Sequence, residues 1–139
     1  MPSRSSRTLS VPAFVVSEKS IQRNSGRQID WANVSTTNSD GVKVLLAGTA
    51  IGDLLGNGKI SPRVVTTNPA IGIMEETAIQ SSTVAALTGY PVIIGGVLYE
   101  NMLQGVSGTP PVLPSAVKTE LNNNGLGFVF EQYVDSRAS

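Results

Sequence analysis

Gly41-Val42-Lys43-Val44-Leu45-Leu46-Ala47-Gly48-Thr49-Ala50-Ile51-Gly52 opens the stretch whose reading decides the fold. After it come Gly56-Asn57-Gly58, Lys59-Ile60-Ser61-Pro62-Arg63, Ala70-Ile71-Gly72-Ile73-Met74 and Tyr90-Pro91-Val92-Ile93-Ile94-Gly95-Gly96-Val97-Leu98-Tyr99. Short apolar runs separated by glycine or proline, from Gly41 to Gly105, read as a compact, mainly β module with tight turns. Val42, Val44 and Leu46 alternate with Lys43 and Leu45, which predicts a half-buried strand. Ala47-Gly48-Thr49 reads as a bend or bulge before the strand resumes at Ala50. Asn57-Gly58 is the strongest hairpin signal, since both residues tolerate positive φ. Lys59 to Val65 is then the return strand, with Pro62 placing it at an edge or a bulge. Thr66 to Pro69 reads as a turn, Ala70 to Met74 as a short strand and Glu75 to Ala78 as a polar excursion. Ser81 to Leu87 fits a helical turn or a loop. Val92-Ile93-Ile94 has the character of a central strand, and Gly95-Gly96 permits a sharp bend or a close backbone approach.

On the C-terminal side, Glu100 to Gln104 is compatible with a helical turn carrying Met102 and Leu103 inward. Ser115 to Asn122 predicts a short helix, with Ser115 as N-cap and Ala116, Val117 and Leu121 at helical spacing. Gly125 suits a left-handed cap at its end. Leu126 to Val134 alternates well enough for a closing strand. On the N-terminal side, Val11 to Val16 is apolar and extended in character, with Phe14 as its large anchor. It reads either as a strand added to a partner's sheet edge or as a strand of the chain's own sheet. Glu18 to Asn24 reads as a polar connector and Gly26 to Trp31 as a second extended piece. Trp31, the single tryptophan, reads as a core or subunit-interface anchor before it reads as a sugar-stacking platform.

Bulk properties narrow the function. At 139 residues the chain has the size of one domain. Only 14% of residues are charged, against about 25% in a usual globular protein, as in a chain that covers part of its surface in an assembly. Cysteine and histidine are both absent. Disulfides are thereby excluded, and the commonest metal ligand and general base are missing. Glu75-Glu76 is an adjacent pair whose side chains point to opposite faces of an extended chain. Gly56 to Lys59 lacks the spacing of a phosphate loop. Neither supports catalysis, so the chain reads as a non-enzyme with no cofactor or metal. No apolar run approaches the ~20 residues that span a bilayer, and no signal peptide is expected.

Charge is unevenly spread. Residues 1–27 carry Arg4, Arg7, Lys19, Arg23 and Arg27 against Glu18 alone, five minus one, or +4. Residues 28–139 carry five cations against nine carboxylates, or −4. Residues 1–40 therefore read as an extended N-terminal arm on a β-rich domain of residues 41–139. The arm is either a solvated terminus or a segment that orders on a partner. Its sparse charges without stacking aromatics do not favour nucleic acid.

The ordered series Gly41 to Gly52, Gly58-Lys59-Ile60-Ser61-Pro62, Ala70 to Ile73 and Val92 to Leu98 resembles the head decoration proteins of tailed bacteriophages, of the phage lambda type. That resemblance implies a small β-tulip or barrel-like domain with one or two short helices. It implies a structural virion protein, trimeric in the family's manner, that binds the outer surface of the capsid. There it would contact the major capsid protein and cement neighbouring capsomers, after synthesis in the host cytoplasm. Arg4, Arg7, Val11, Phe14, Val15, Val16, Arg23 and Arg27 would form the gripping arm, with Trp31 anchoring the body or an interface. Another virion module, of tail or fibre, and a small carbohydrate-binding module using Trp31 or Tyr99 are the alternatives.

Overall fold

Alternation along the central strands puts apolar side chains on both faces, so a sheet built from them must be covered twice. The structure, a computed structural model, describes residues 12–64, 68–80 and 89–134. Its strands are β1 (Gln22–Arg27), β2 (Val44–Leu45), β3 (Ala50–Gly52), β4 (Ser61–Pro62), β5 (Gly72–Met74), β6 (Ala78–Ile79), β7 (Tyr90–Tyr99) and β8 (Phe128–Glu131). A helix, α1 (Ser115–Asn124), precedes β8, and short 3-10 turns lie at Glu18–Ser20, Trp31–Asn33 and Glu100–Met102. The mainly β fold read from the sequence is the fold observed.

The main sheet runs in the order β1-β7-β5-β3-β4, all neighbours antiparallel. Its ends meet. Ile29, just past β1, forms a parallel bridge with Ile60, just before β4. Asp30 N–H donates to Ile60 O at 2.8 Å and Ile60 N–H to Gln28 O at 2.9 Å. Four antiparallel steps leave β1 and β4 pointing the same way, so a parallel contact is the one that can close the ring. The interior is filled by Ile29, Ile51, Ile60, Met74, Tyr90 and Val92, supplied from every side of the ring, together with Val34, Leu45 and Ala78. The opposite face carries Ile73 and Ile93, covered by Val117 and Leu121 of α1 and by Phe14, Val15, Leu98, Leu103, Leu113 and Phe128.

Strand β7 is not interrupted at Gly95-Gly96. It runs through ten residues and changes partners there. Its first half pairs with β1 and β5, and its second half with β8, in parallel, from Gly96–Phe128 to Tyr99–Glu131. Gly96 has φ +139°, and a Cβ on it would sit 2.7 Å from Ile21 Cδ1 and 3.1 Å from Ser20 O. The close-approach reading of the pair therefore holds.

Several local expectations are corrected. The body does not begin at residue 41: Phe14 and Val15 are 5% and 8% exposed, and β1 is an integral strand. Val15 bridges Leu98, with Val16 N–H donating to Val97 O and Tyr99 N–H to Phe14 O. The segment thus pairs with the chain's own sheet through one isolated bridge, because burying Phe14 against its own core satisfies both its ring and its backbone. Glu18 to Asn24 is a 3-10 turn leading into β1 rather than a connector. The strand expected from Val42 to Leu46 shortens to β2, paired with β6, which begins at the last residue of what read as a polar excursion. Pro62 does lie on the terminal strand of the sheet path. Leu103 is buried, but Met102 is 38% exposed. Pro114, not Ser115, occupies the N-cap position of α1. Gly125 has φ −104°; a Cβ there would lie 2.6 Å from Ile94 O, so crowding and not handedness selects glycine. The segment Ser81 to Leu87 lies outside the described residues.

Phe14→Ala is expected to lower unfolding stability by about 3–5 kcal/mol, the usual cost of truncating a buried phenylalanine, as read by urea denaturation. Deleting residues 2–26 removes Phe14, Val15 and most of β1, and is expected to abolish the cooperative transition.

Candidate interaction surface

The second half of β7 is the middle of a three-stranded ribbon, flanked by Phe14 to Val16 on one side and β8 on the other. The Val15–Leu98 bridge sets Val16 opposite Val97, and Val97 is in register with Val129. Residues directly opposite share a face, so Val16, Val97 and Val129 form a row across the ribbon. Leu98, Phe128 and Val15 point the other way, into the core. Val129 is 56% exposed, and Val16 and Val97 are half-buried. Two positions along, Tyr99 lies on the same face opposite Glu131. Tyr133 meets the Tyr99 ring edge-on, with centroids 5.3 Å apart and planes at 75°.

The C-terminal side of this surface is held by polar contacts. Asn101 Nδ2 donates to Tyr133 O at 3.0 Å, and Tyr133 N–H donates to Asn101 Oδ1 at 2.8 Å. Gln132 Nε2 donates to Pro111 O at 2.8 Å. Behind it, buried Glu100 accepts Leu113 N–H at 2.8 Å and the Lys118 ammonium at 2.7 Å. Lys118 Nζ also lies 5.7 Å from the Phe130 ring centroid, and Phe130 stacks on Phe128 with centroids 5.9 Å apart. The valine row thus lies on a ribbon whose C-terminal side is fixed by hydrogen bonds.

The arm residues named from the sequence are not gathered into one site. Arg4, Arg7 and Val11 lie outside the described residues. Phe14 and Val15 are core, and among the described residues of the apolar group Val16 alone reaches the strip. Arg23 Nε and Nη2 donate to Glu75 at 2.6 and 2.8 Å, and Nη2 also donates to Glu18 at 2.9 Å. These acceptors, Glu75 first, hold the Arg23 guanidinium well above its ordinary pKa. Arg27 Nε donates to Gly58 O at 3.1 Å, across the seam of the ring. Trp31 packs partly buried against the ring interior, and its carbonyl accepts Lys43 Nζ at 2.9 Å. Neither Trp31 nor Tyr99, the rings considered for sugar stacking, stands clear of other side chains. Sequence reasoning missed the valine row because its members come from three separate segments. The apolar alternation of Leu126 to Val134 was visible, but not which face met water.

A separate cleft of about 220 Å³ opens between β3, β4 and the start of α1, lined by Ala50, Pro62, Arg63, Gln104, Leu113 and Val117. Its one cation is committed: Arg63 Nε and Nη2 each donate to Glu120 at 2.8 Å. Ala70 N–H donates to the same carboxylate at 2.9 Å. The Arg63 hydrogen bonds hold the Glu120 carboxyl below its ordinary range, with the Ala70 N–H adding to the effect against the opposing influence of desolvation. Among the described residues no three Asp, Glu, His or Cys side chains gather as a metal site, and no helix is long and apolar enough to cross a membrane. No family model matches the chain, and no curated protein or solved structure matches it.

Because the folded-state pKa of Glu120 is depressed, its stabilising contribution is full above the ordinary glutamate pKa of about 4.3. It is lost as pH falls through the lower folded value. Glu120→Gln is expected to lower stability at neutral pH and to flatten its fall in that acidic window. Denaturant midpoints of the two proteins across pH check this, and parallel curves would refute it.

Proposed function

We propose that the chain is a structural virion protein that decorates the outer surface of a phage head and cements neighbouring capsomers. Its partners on this reading are the major capsid protein and further copies of itself, arranged as a homotrimer. The observation that carries the proposal is the valine strip on the braced ribbon, where Val16 N–H donates to Val97 O and Val97 is in register with Val129. The ordered glycine-punctuated series, with its resemblance to head decoration proteins, supports it independently. A ring covered on both faces is a stiff unit, and a cement needs stiffness and an adhesive face more than a reactive group.

Packing from Phe14 onward takes Phe14 and Val15 out of the arm and into the core. An interface that is weak in one copy gains avidity from many copies on one shell.

Particles carrying the chain at a copy number near that of the shell protein are the first expected result. Deletion of residues 2–11, and separately Val129→Asp, are each expected to weaken rebinding to stripped heads by about tenfold, as loss of one interface anchor does. Circular dichroism checks that both variants stay folded. Undiminished occupancy of both variants would refute the proposed grip.

A further inference from the structure

The chain contains two Asn-Gly pairs, Asn57-Gly58 and Asn124-Gly125, and they sit in opposite surroundings. In such a pair the glycine nitrogen can attack the asparagine side-chain carbonyl carbon, since no Cβ on the following residue obstructs the approach. Asn57 lies on the exposed loop between β3 and β4, with Gly58 at φ +86° and open space where its Cβ would be. Lys59 N–H donates to Asn57 Oδ1 at 3.0 Å, which polarises the carbonyl as a donor to a developing oxyanion does. Asp53 acts in the other direction. Its Oδ2 accepts Gly58 N–H at 2.9 Å and its Oδ1 accepts Asn57 N–H at 3.2 Å. The nucleophile's proton is thus held by a group whose negative charge opposes ionisation of the amide.

We propose that Asn57 is a site of spontaneous conversion from amide to acid, with water as the co-reactant, and that Asp53 is its brake. Gly58 N gives its proton to solvent and bonds to Asn57 Cγ. The Cγ–Nδ2 bond breaks, and ammonia leaves after taking up a proton. Water then opens the cyclic imide at either carbonyl, giving aspartate, or isoaspartate with Cβ in the main chain. One asparagine side chain and one water are consumed, one carboxyl and one ammonia are formed, and nothing is oxidised or reduced.

The second pair supplies an internal control. Asn124 Nδ2 donates to Ala70 O at 3.0 Å, and Gly125 N–H donates to Leu121 O at 2.8 Å at the end of α1. A Cβ at Gly125 would lie 2.6 Å from Ile94 O, so that backbone is hemmed in and cannot rearrange without opening the helix end. Conversion at Asn57 has a structural consequence that conversion at a free loop tip lacks. It sets a second carboxyl beside Asp53 and, in the iso form, lengthens the loop whose Gly58 carbonyl is tied to Arg27 across the seam.

The test follows the full chain, wild type and Asp53→Asn, Asp53→Ala and Asn57→Gln variants, through prolonged incubation at neutral pH. Peptide mass mapping and enzymatic isoaspartate methylation read the conversion, natively and in urea. Wild-type Asn57 is expected to convert about tenfold more slowly when folded than when unfolded. Asp53→Ala is expected to restore about that factor in the folded protein, the scale of one charge-assisted hydrogen bond. Asp53→Asn, which keeps an acceptor without the charge, should fall between, Asn57→Gln should be silent, and Asn124 should stay intact natively. Slower conversion in folded Asp53→Ala would make Asp53 a general base and overturn the proposal, as would equal native and urea rates in the wild type. If Asp53→Ala fails to fold, Asp53→Asn and the wild-type native-to-urea ratio decide between the same outcomes.

Discussion

Strand β7 joins the ring to the ribbon, and it can do so only because Gly95 and Gly96 carry no side chains. Segment Ser20–Ile21 presses on Gly96 from one side, and a Cβ on Gly95 would lie 3.0 Å from Gly127 O on the other. Gly96 N–H donates to that same Gly127 carbonyl at 3.0 Å. Without this double approach, β8 could not lie along the end of β7 while β1 lies along its start. The ring and the three-stranded ribbon are thus two structures built on one strand, joined where two glycines let backbone meet backbone.

Charge in this chain is spent mainly on fastening. Arg63 and Ala70 N–H converge on Glu120, while Asn124 reaches Ala70 O at 3.0 Å. Helix α1 is therefore tied to the start of β5 through both polar groups of one residue. Glu100 and Lys118 join the 3-10 turn after β7 to the middle of the same helix. Burying an ion pair gives little net stability when its desolvation is counted. What such pairs do fix is register: an α1 slid by one residue would leave Glu100 uncompensated in the core.

The sequence made the strand-forming apolar runs and their glycine breaks legible, because alternation and backbone freedom are local properties. Ile51, Ile73, Val92 and Ile93 could be assigned to strands on that basis, and α1 on its 3.6-residue spacing. What stayed hidden depends on distant partners. Nothing local to Phe14 says whether its ring meets its own core or another protein, since an apolar extended segment is suited to both. The net charge of residues 1–27 was equally ambiguous, as Arg23 is answered by Glu75, 52 residues away. Ring closure through Ile29 and Ile60 and the valine row share this character. Each is a pairing across the chain, invisible to periodicity within either segment.

How the N-terminal segment joins the body bears on what a cementing role would ask of it. The first described residues lead directly into backbone bonds with β7, at Val16 N–H to Val97 O and Tyr99 N–H to Phe14 O. Phe14 follows at once as a buried plug in the core. A pull on residues before Pro12 would therefore load backbone hydrogen bonds and a buried ring together, on the strand that also carries the ring and β8. A terminus grafted onto a surface loop would transmit the same pull to a single flexible hinge. Phe14 and Val15, which read as part of an arm, are thus built into the core and bonded to β7 beside the row of Val16, Val97 and Val129.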